Sequence, residues 1–381
     1  MSGKKNDDRK SVVVVGGGSA GVNIARPLSA QLDATKYKLV LINPRPFRVL
    51  LPSTLRMVVS DADNLGTTEA ALVPYDKIFH GNNGVFIQDS VEGIHQAAGA
   101  TNGVLTLASG QEVPYDILVL ATGLSWQDPI SFPDKAEDVK QYIASSRDKF
   151  AAAQNYLLVG GGAVGCELAG EIKDIWPDKE VTLVHGQRLL FSDVYPDKFR
   201  TGTAKMLERR GVKIVMNEFV EDIPAKTGPG EVMTKGGLKL SADLIVKTVG
   251  ARHPNTTFIN SLDADALDSD SFVKVKPTMQ LLGYPNIFAA GDITDLKEQK
   301  QAIKSGAHAK IVAKNIISYI KGASLKNYST GFEAVILTNG KWGGLSYFGV
   351  LWGIMLGAWI TRFFKSKDLL VPMFRKESGL V

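Results

Sequence analysis

The sequence is short of cysteine: Cys166 is the one cysteine among 381 residues. A single thiol cannot form a disulfide within the chain, which fits a reducing compartment. It also excludes a cysteine pair that passes electrons to a disulfide substrate, a cysteine-ligated iron–sulfur cluster and a cysteine-rich zinc site. We therefore expect no metal centre, and we expect Cys166 to be a small packing residue in a helix.

The chain also has little excess of positive over negative charge. The net charge is +5, from 44 Lys and Arg against 39 Asp and Glu, and no basic run exceeds a few residues. This balance argues against nucleic-acid binding, while it suits an anionic cofactor or an anionic membrane surface. Residues 1–10 are polar and lack the apolar core of a signal peptide. We expect a disordered tail there and an intracellular protein that is not secreted.

Glycine is abundant, and six glycines form a repeated motif. Residues 12–21 read VVVVGGGSAG and residues 157–166 read LLVGGGAVGC, so that an apolar run leads twice into G-x-G-x-x-G. The first glycine permits a tight turn, the second lets the backbone approach a pyrophosphate, and the third lets a helix pack against the strand. The pyrophosphate then lies at a helix N-terminus. The predicted cofactor-binding residues of the two copies are Gly16, Gly18, Ser19, Ala20 and Gly21, and Gly160, Gly162, Ala163 and Gly165.

Strand-like and helix-like runs alternate from residue 11 to about residue 320, which predicts an α/β fold with parallel sheets. Each glycine motif lies in a strand–helix–strand unit of the spacing found in Rossmann-like mononucleotide-binding halves. Two units in one chain predict two bound dinucleotides and an electron-transfer enzyme. The expected strands and helices are 12–15, 21–30 and 37–42 in the first unit, and 156–159, 164–175 and 181–184 in the second.

Both units lack the acidic residue that usually binds a ribose hydroxyl about 20 residues after the glycines. Asn43 ends the second strand of the first unit, and His185 ends that of the second unit. Asn43 can still hydrogen-bond a ribose hydroxyl. Beside His185 no carboxylate repels a 2′-phosphate, and Arg188 could attract one. We therefore expect NADPH to be accepted as well as NADH.

Three further segments resemble the two-dinucleotide flavoprotein reductases: YDILVLATG (115–123), TVGARHPN (248–255) and NIFAAGDITD (286–295). Taken alone, the first and the last are also consistent with two ordinary buried strands. The resemblance implies that FAD occupies the first site and the nicotinamide cofactor the second. Cofactor contacts are then implied for Thr122 and Gly123, for Gly250, and for Gly291 and Asp292.

The same resemblance implies the domain organisation. A discontinuous FAD-binding domain comprises residues 11–124 and 252–325, and the NAD(P)H-binding domain is inserted as residues 125–251. Residues 326–381 then form a small C-terminal α+β domain. The stretch 46–60, which contains Arg48, Pro52 and Arg56, is implied to line the flavin.

Two side chains with acid–base chemistry acquire roles through the resemblance. Glu167, two residues after Gly165, is implied to point toward the nicotinamide and flavin rings. His308 lies in a helical pattern over residues 297–320 whose start faces the flavin in such enzymes. A helix-surface glutamate and a structural histidine are the alternatives.

The longest uncharged run is Trp342–Ile360, nineteen residues with five glycines. Its length meets the rule for a membrane span, but the scattered glycines favour a strand followed by a turn and a helix. Beyond it, one helical face would carry Trp359, Ile360, Phe363, Phe364, Leu370 and Val371, and the opposite face Thr361, Arg362, Lys365 and Asp368. Such a pattern is typical of an interfacial helix or of a helix packed on its own core.

With the ending KSKDLL (365–370), the motifs resemble the mitochondrion-associated apoptosis-inducing-factor homologues, including the ferroptosis suppressor proteins, which are related to type II NADH dehydrogenases. This family couples NAD(P)H oxidation to the reduction of quinones such as ubiquinone through FAD, which implies a ping-pong reaction. Lys365 would then lie near the flavin or the quinone. The catalytic candidates are Glu167, His308 and Lys365.

The resemblance also implies a setting. We expect peripheral association with the mitochondrial outer membrane, another cytosol-facing membrane or a lipid droplet. For the oligomeric state, a homodimer is the arrangement to test. Two other functions stay open: a signalling or DNA-binding flavoprotein, and a reductase for a protein acceptor such as a ferredoxin.

Overall fold

A computed structural model of the protein describes residues 8–250 and 253–380. Most of the predicted N-terminal tail, residues 1–7, lies outside the described residues, and Lys10 already belongs to the first strand.

The strands, in chain order, are β1 (Lys10–Val15), β2 (Tyr37–Asn43), β3 (Phe47–Val49), β4 (Leu72–Pro74), β5 (Val85–Gln88), β6 (Val91–His95), β7 (Gly103–Leu107), β8 (Glu112–Tyr115), β9 (Ile117–Leu120), β10 (Leu124–Ser125), β11 (Asn155–Val159), β12 (Glu180–His185), β13 (Val212–Met216), β14 (Gly228–Met233), β15 (Lys239–Lys247), β16 (His253–Pro254), β17 (Gln280–Leu281), β18 (Tyr284–Ala289), β19 (Ala334–Thr338), β20 (Gly344–Phe348) and β21 (Ile354–Leu356).

The α-helices are α1 (Ser19–Gln31), α2 (Thr54–Val59), α3 (Ala136–Ala152), α4 (Ala163–Ile175), α5 (Asp197–Glu208), α6 (Ala302–Ile320), α7 (Ala358–Thr361) and α8 (Val371–Glu377). Short 3-10 turns cover Leu51–Ser53, His80–Asn82, Thr257–Ser261 and Ala264–Ala266, and a π-helical turn covers Arg362–Ser366.

The first sheet has the strand order β17-β18-β9-β1-β2-β5 and is parallel except for β17. Its central strand β1 is buried on both faces: Val12 and Val14 pack on one side, Val13 and Val15 on the other. A strand covered on both faces reads as a continuous apolar run, which explains VVVV in the sequence. Helices α1 and α6 cover one of these faces.

The second sheet repeats this arrangement, in the order β13-β12-β11-β15-β14. Strands β11, β12, β13 and β15 are parallel, and β14 is antiparallel. The two units match in register, since Val15 pairs with Ile42 in the first and Val159 pairs with Val184 in the second. The predicted α/β fold with two Rossmann-like units is confirmed.

The chain crosses between the two units twice, and the two crossings lie side by side. Strand β10 directly follows the ATG segment and pairs antiparallel with β16. The Thr122 hydroxyl donates to the Asn255 carbonyl (2.6 Å), and the Asn255 amide group donates back to the Thr122 carbonyl (3.1 Å). The predicted return segment 248–255 therefore runs beside the outgoing one, although Ala251 and Arg252 lie outside the described residues.

The C-terminal part is a small antiparallel sheet, β19-β20-β21, followed by short helices. The uncharged run 342–360 forms β20, a turn, β21 and the start of α7, which agrees with the strand–turn–helix interpretation. Among residues 8–250 and 253–380, we find no helix with the length and hydropathy needed to cross a bilayer.

The predicted continuous amphipathic helix over residues 359–371 is wrong. Helix α7 passes into the π-helical turn, and then Leu369 and Leu370 take left-handed φ angles of 53° and 62°, which end it. Leu370 and Val371 therefore do not share a helical face with Phe363. The side chain of Lys365, a catalytic candidate on the polar side of that pattern, is largely buried.

Candidate active site

The first glycine motif forms the turn between β1 and α1. Gly16 has a φ angle of 103°, and a Cβ atom there would lie 2.4 Å from the Ala121 carbonyl oxygen. A Cβ on Gly21 would lie 1.8 Å from the Gly16 oxygen, so that helix and turn pack at a distance only glycine allows. Gly18, by contrast, is exposed, and a Cβ there meets no atom within 4 Å. The helix N-terminus is therefore open to an anion, as a dinucleotide pyrophosphate requires.

The second glycine motif reproduces this geometry between β11 and α4. Gly160 has a φ angle of 125°, and a Cβ on Gly165 would lie 2.0 Å from the Gly160 oxygen. A Cβ on Gly162, the N-cap of α4, meets nothing within 4 Å, and Ala163 beside it is exposed. The chain thus has two equivalent helix N-termini that are open to an anion, each at the carboxyl end of a central parallel strand.

Asn43 and His185 occupy equivalent positions and make equivalent contacts. The Asn43 Oδ1 atom accepts a hydrogen bond from the Gly17 amide (2.9 Å), and the His185 Nδ1 atom accepts one from the Gly161 amide (3.1 Å). Both side chains therefore fix the residue between the first two glycines of their motif, Gly17 in the first and Gly161 in the second. Asn43 also donates to the Arg45 carbonyl. This bond uses one of the two hydrogens of its side-chain amide, so the other hydrogen and the spare acceptor capacity of Oδ1 are left for the predicted ribose contact.

His185 differs from Asn43 in one respect. Its Nε2 atom is buried and has no hydrogen-bond partner. Because Nδ1 accepts from Gly161, Nε2 carries the proton, and burial lowers the pKa of His185 and favours this neutral form. An N–H group that lacks a partner beside the second motif fits a ribose hydroxyl of a nicotinamide dinucleotide. Arg188, predicted near a 2′-phosphate, is exposed and ion-paired with Asp197 (2.7 Å).

Arg48 lies beside the first motif. Its Nη2 atom donates to the Ser19 hydroxyl (2.8 Å), and its guanidinium stacks over the Phe374 ring at 4.8 Å. Its Nη1 atom is buried without a hydrogen bond, at an ion-pair distance of 3.6 Å from Glu377. A buried guanidinium with an unused donor next to the helix N-terminus fits the FAD pyrophosphate. Pro52, in the following 3-10 turn, is half-buried and forms part of the same segment.

Gly291 and Asp292 follow β18 and lie at the same carboxyl end of the sheet as the first glycine motif. Gly291 has a φ angle of 81°, and a Cβ there would lie 3.0 Å from the Cβ of Ala20 on α1. The Ser305 hydroxyl at the start of α6 donates to Asp292 (3.2 Å). The GD segment therefore lies next to the first fingerprint, where the sequence predicts contact with FAD. Gly250, at the return crossing, is exposed.

His308 is buried on α6, and both ring nitrogens are engaged. Its Nδ1 atom accepts from the Gly291 amide (3.1 Å), and its Nε2 atom lies 2.7 Å from Glu298. Tyr328 packs edge-on against the ring. Both nitrogens are thus engaged within the protein, where they hold the loop that carries Asp292. The catalytic role of His308 stays a prediction.

The half-buried His185 and the buried His308 predict that the protein loses stability in acid. Burial lowers the folded-state pKa values of His185 and His308 below the ordinary value of 6.5. The unfolded chain then binds more protons, so that stability is fully present above that value and falls as pH drops through the folded-state values. We expect a lower unfolding temperature at about pH 5 than at neutral pH, and a smaller decrease in His308→Gln. An unchanged decrease in that variant would contradict the role of His308.

Glu167 and Lys365 form an ion pair, although they are 198 residues apart in the chain. The Lys365 Nζ atom donates to Glu167 Oε1 (2.7 Å) and to the Ile336 carbonyl (3.0 Å). The same Glu167 oxygen accepts the Thr338 amide (2.9 Å). Both side chains are largely buried, with 12% and 14% of their area exposed. The structure thus brings two of the three predicted catalytic residues together, held by β19.

Arg56 is not placed as predicted. Instead of an open flavin-lining position, it occupies a buried one between the two units. Its Nε and Nη2 atoms donate to the Glu171 carboxylate (2.8 and 3.1 Å), Nη1 donates to Asp63 (3.2 Å), and Nη2 also reaches the Ser366 carbonyl (2.8 Å). Its donor nitrogens are therefore all engaged within the protein.

Sequence reasoning missed the partners of these residues. Glu171 lies one helical turn after Glu167 on α4, and an acidic residue among the buried side chains of an apolar helix was the available signal. The Tyr75 hydroxyl donates to the Gly17 carbonyl (2.8 Å), and no motif marks it. Cys166 is buried and its pKa is raised by burial, in agreement with a packing role.

Several known proteins are similar to this chain in sequence or in fold. The profile of the pyridine nucleotide-disulphide oxidoreductase family matches residues 10–310. The FAD-dependent oxidoreductase FVFD30 of Flammulina velutipes is 45% identical over 326 residues, covering 85% of this chain and 99% of that protein. Ferroptosis suppressor protein 1 of Taeniopygia guttata is 31% identical over 382 residues, covering 98% and 97%.

Among solved structures, the sulfide:quinone oxidoreductase of Aquifex aeolicus superposes with a TM-score of 0.76 at 19% identity, covering 97% of this chain and 91% of that one. Putidaredoxin reductase, from its covalent complex with putidaredoxin, gives a TM-score of 0.66 at 21% identity and covers 89% and 81%. These likenesses confirm the two-dinucleotide reductase fold. The chain is a FAD-dependent pyridine nucleotide oxidoreductase and belongs to the pyridine nucleotide-disulphide oxidoreductase family.

Proposed function

We propose that the protein transfers electrons from NADH or NADPH to a quinone of the ubiquinone type. One contact supports this function above all. The ion pair of Glu167 and Lys365 joins helix α4, which would bind the nicotinamide cofactor, to residues 326–380, called the C-terminal segment below. That segment carries the largest exposed apolar side chains of the described residues. A quinone needs both features, a cationic donor for its oxygen and an apolar approach for its ring and tail.

The chain's own residues divide the work. Bound FAD would supply the two-electron chemistry between the nicotinamide and the acceptor, which the side chains of the protein lack. Arg48 and the N-terminus of α1 would hold its pyrophosphate, and the N-terminus of α4 and His185 would hold the nicotinamide dinucleotide. Lys365 offers an ammonium group to an acceptor oxygen on which negative charge develops, and Glu167 orients that ammonium group.

The single cysteine limits where electrons can go after the flavin. Its one cysteine is buried, so no cysteine pair of its own can take electrons onward, despite the family's name. Lys365 is the cation that pairs with Glu167. A quinone oxygen can replace the Glu167 carboxylate oxygen as the acceptor of a hydrogen bond from the Lys365 ammonium group. Electrons therefore pass to an external acceptor at this pair.

We further propose that the quinone is drawn from a lipid surface that the C-terminal segment contacts. Leu351 and Trp352 form the tip of the β20–β21 hairpin, both with left-handed φ angles, and Trp352 is fully exposed (102%). Such positions ordinarily hold glycine or asparagine, so large apolar residues there suggest a role for the exposed tip. Trp342, Trp359, Phe363, Phe364 and Met373 are also exposed, with Lys367 and Lys376 among them.

This surface predicts binding to vesicles. We expect the protein to float with liposomes that contain anionic lipid, and Trp352→Ser together with Trp359→Ser to abolish flotation while NADH oxidation with a water-soluble quinone stays unchanged. The matched control is Met233→Ser together with Leu238→Ser, which removes two exposed apolar side chains from the β14–β15 region of the second sheet. Equal flotation of both double variants and the parent protein would contradict the proposed surface.

The function itself is tested with the purified yellow protein in a steady-state assay. NADH and NADPH are each paired with a water-soluble ubiquinone, with a ferredoxin-type protein and with no acceptor. We expect turnover with the quinone and little with the protein acceptor. A preference for the protein acceptor would favour the reductase alternative, and salt-dependent binding to duplex DNA without turnover would favour the DNA-binding alternative.

A further inference from the structure

Arg56 is the one described residue whose side chain bonds to α4 of the second unit and to the C-terminal segment at once, from α2 of the first unit. Its partners are 115 and 310 positions away in the sequence. They are also the immediate neighbours of the Glu167–Lys365 pair: Glu171 lies one turn after Glu167 on the same helix, and Ser366 is adjacent to Lys365. The Arg56 guanidinium therefore bonds to the helix that carries Glu167 and to the backbone of the residue next to Lys365.

The contacts of Arg56 are of the strong kind. The bond to Glu171 is bidentate, and both side chains are buried, with 5% and 4% of their area exposed. Planar two-point pairing of this kind fixes orientation as well as distance. On the C-terminal side, Ser366 is held a second time, because its hydroxyl donates to the Gly343 carbonyl (2.7 Å).

Each acidic side chain around Arg56 is paired with a cation. Asp63 accepts from Arg56 and also pairs with Lys341. Glu171 and Glu167 lie on one helix face, and each carboxylate has its own cation, Arg56 for Glu171 and Lys365 for Glu167. Without Arg56, Glu171 would be a buried carboxylate with no cation one turn from the catalytic pair.

Resting on the proposed function, we propose that Arg56 is a positioning residue that sets the geometry of the Glu167–Lys365 pair by fastening α4 and the π-helical turn Arg362–Ser366 to one another. It acts through Lys365 and does not itself contact the acceptor. The π-helical turn is the element that needs such a fastening, because an α-helix with one extra residue is locally less stable than its neighbours and is common at functional sites.

Chemical labelling of lysines tests this without relying on turnover. Under mild reductive methylation followed by mass spectrometry, Lys365 should react slowly in the parent protein, since it is ion-paired and largely buried, while exposed Lys367 serves as the internal standard. We expect Arg56→Gln to raise the Lys365-to-Lys367 labelling ratio several-fold, and Glu167→Gln to do the same as a positive control. Arg56→Lys, which keeps the charge but not the fork, should raise it less.

Arg147→Gln is the matched control. Arg147 on α3 also ties the second unit to α2: its Nε atom donates to the Met57 carbonyl (2.9 Å), one residue from Arg56, and it pairs with Asp61. It contacts neither α4 nor the C-terminal segment through these bonds. If Arg56 merely held the units together, both variants would expose Lys365 alike. We expect Arg147→Gln to leave the labelling ratio at the parent value.

Leaving Glu171 unpaired can unfold the protein, so the double variant R56Q/E171Q, which removes both buried charges, is measured alongside. Turnover adds a second readout. We expect Arg56→Gln to lower quinone turnover about tenfold or more in the parent, but by about twofold at most when Lys365 is already glutamine.

The outcomes separate cleanly. Parent-like labelling of Lys365 in folded Arg56→Gln and in the double variant, or additive losses with Lys365→Gln, would overturn the positioning role while quinone reduction stands. Absence of quinone turnover in the parent would overturn the proposed function, and the labelling ratio would still decide the role of Arg56.

Discussion

Replacing Gly165 by alanine is expected to slow reduction of the protein by NADH about 10²-fold while leaving it yellow. A Cβ at this position would lie 2.0 Å from the Gly160 carbonyl oxygen and 2.9 Å from the Thr248 hydroxyl. Both neighbours are fixed: the Thr248 hydroxyl donates to that same oxygen (2.8 Å). Helix α4 must therefore move away from its strand, and a misplacement of about 1 Å costs about 10²-fold in rate. The measurement is the rate at which NADH bleaches the flavin absorption.

The FAD site is expected to survive this change because it is a separate copy of the same motif. Gly21→Ala makes the reciprocal change, since its Cβ would lie 1.8 Å from the Gly16 oxygen, and it should yield protein without flavin. Gly306→Ala on α6 is the control for a helical glycine, because a Cβ there meets nothing within 4 Å. Loss of flavin from the Gly165 variant, or normal reduction by NADH, would contradict the assignment of the two sites.

The second large effect is expected for Lys365→Gln. If its ammonium group stabilises charge on the acceptor oxygen, its removal should lower quinone turnover by about 10²-fold or more. Reduction of the flavin by NADH should change little, because the nicotinamide site lies at the N-terminus of α4. Lys367→Gln is the matched control: the residue is two positions away, exposed, and carries the same charge. Parallel stopped-flow measurements of the two half-reactions separate these effects.

Glu167→Gln should produce a smaller loss, since it removes the orienting partner and keeps the ammonium group. The double variant with Lys365→Gln should be no slower than Lys365→Gln alone, because the two residues act as a unit. Additive losses would mean that the two residues act on separate steps. They would contradict the proposal that Glu167 and Lys365 act together.

The fold was predictable because its determinants are local. The glycine motifs follow fully buried valine and leucine strands, and the expected helices and strands of both units differ from the observed ones by a few residues at most. The residue at the end of the second strand in each unit was also visible in the sequence. Its role was harder to predict, because Asn43 and His185 bind a glycine amide of their own motif.

The contacts between segments were not predictable. The family resemblance implies that Arg56 lines the flavin, yet its partners lie on α4 and in the C-terminal segment. No local pattern encodes a pairing across 310 positions. The sequence makes His308 a catalytic candidate, but its burial between Gly291 and Glu298 depends on how α6 packs against the GD loop. The C-terminal helix was predicted as continuous because periodicity does not reveal two left-handed leucines.

The central claim is sequential electron transfer from a nicotinamide, through FAD, to a quinone. Its most direct measurement is an anaerobic titration of the purified protein followed by the visible flavin spectrum. We predict that NADH alone bleaches the flavin band and that one equivalent of water-soluble ubiquinone then restores it, with the quinol as product. A flavin that NADH reduces but that quinone leaves bleached would contradict the account.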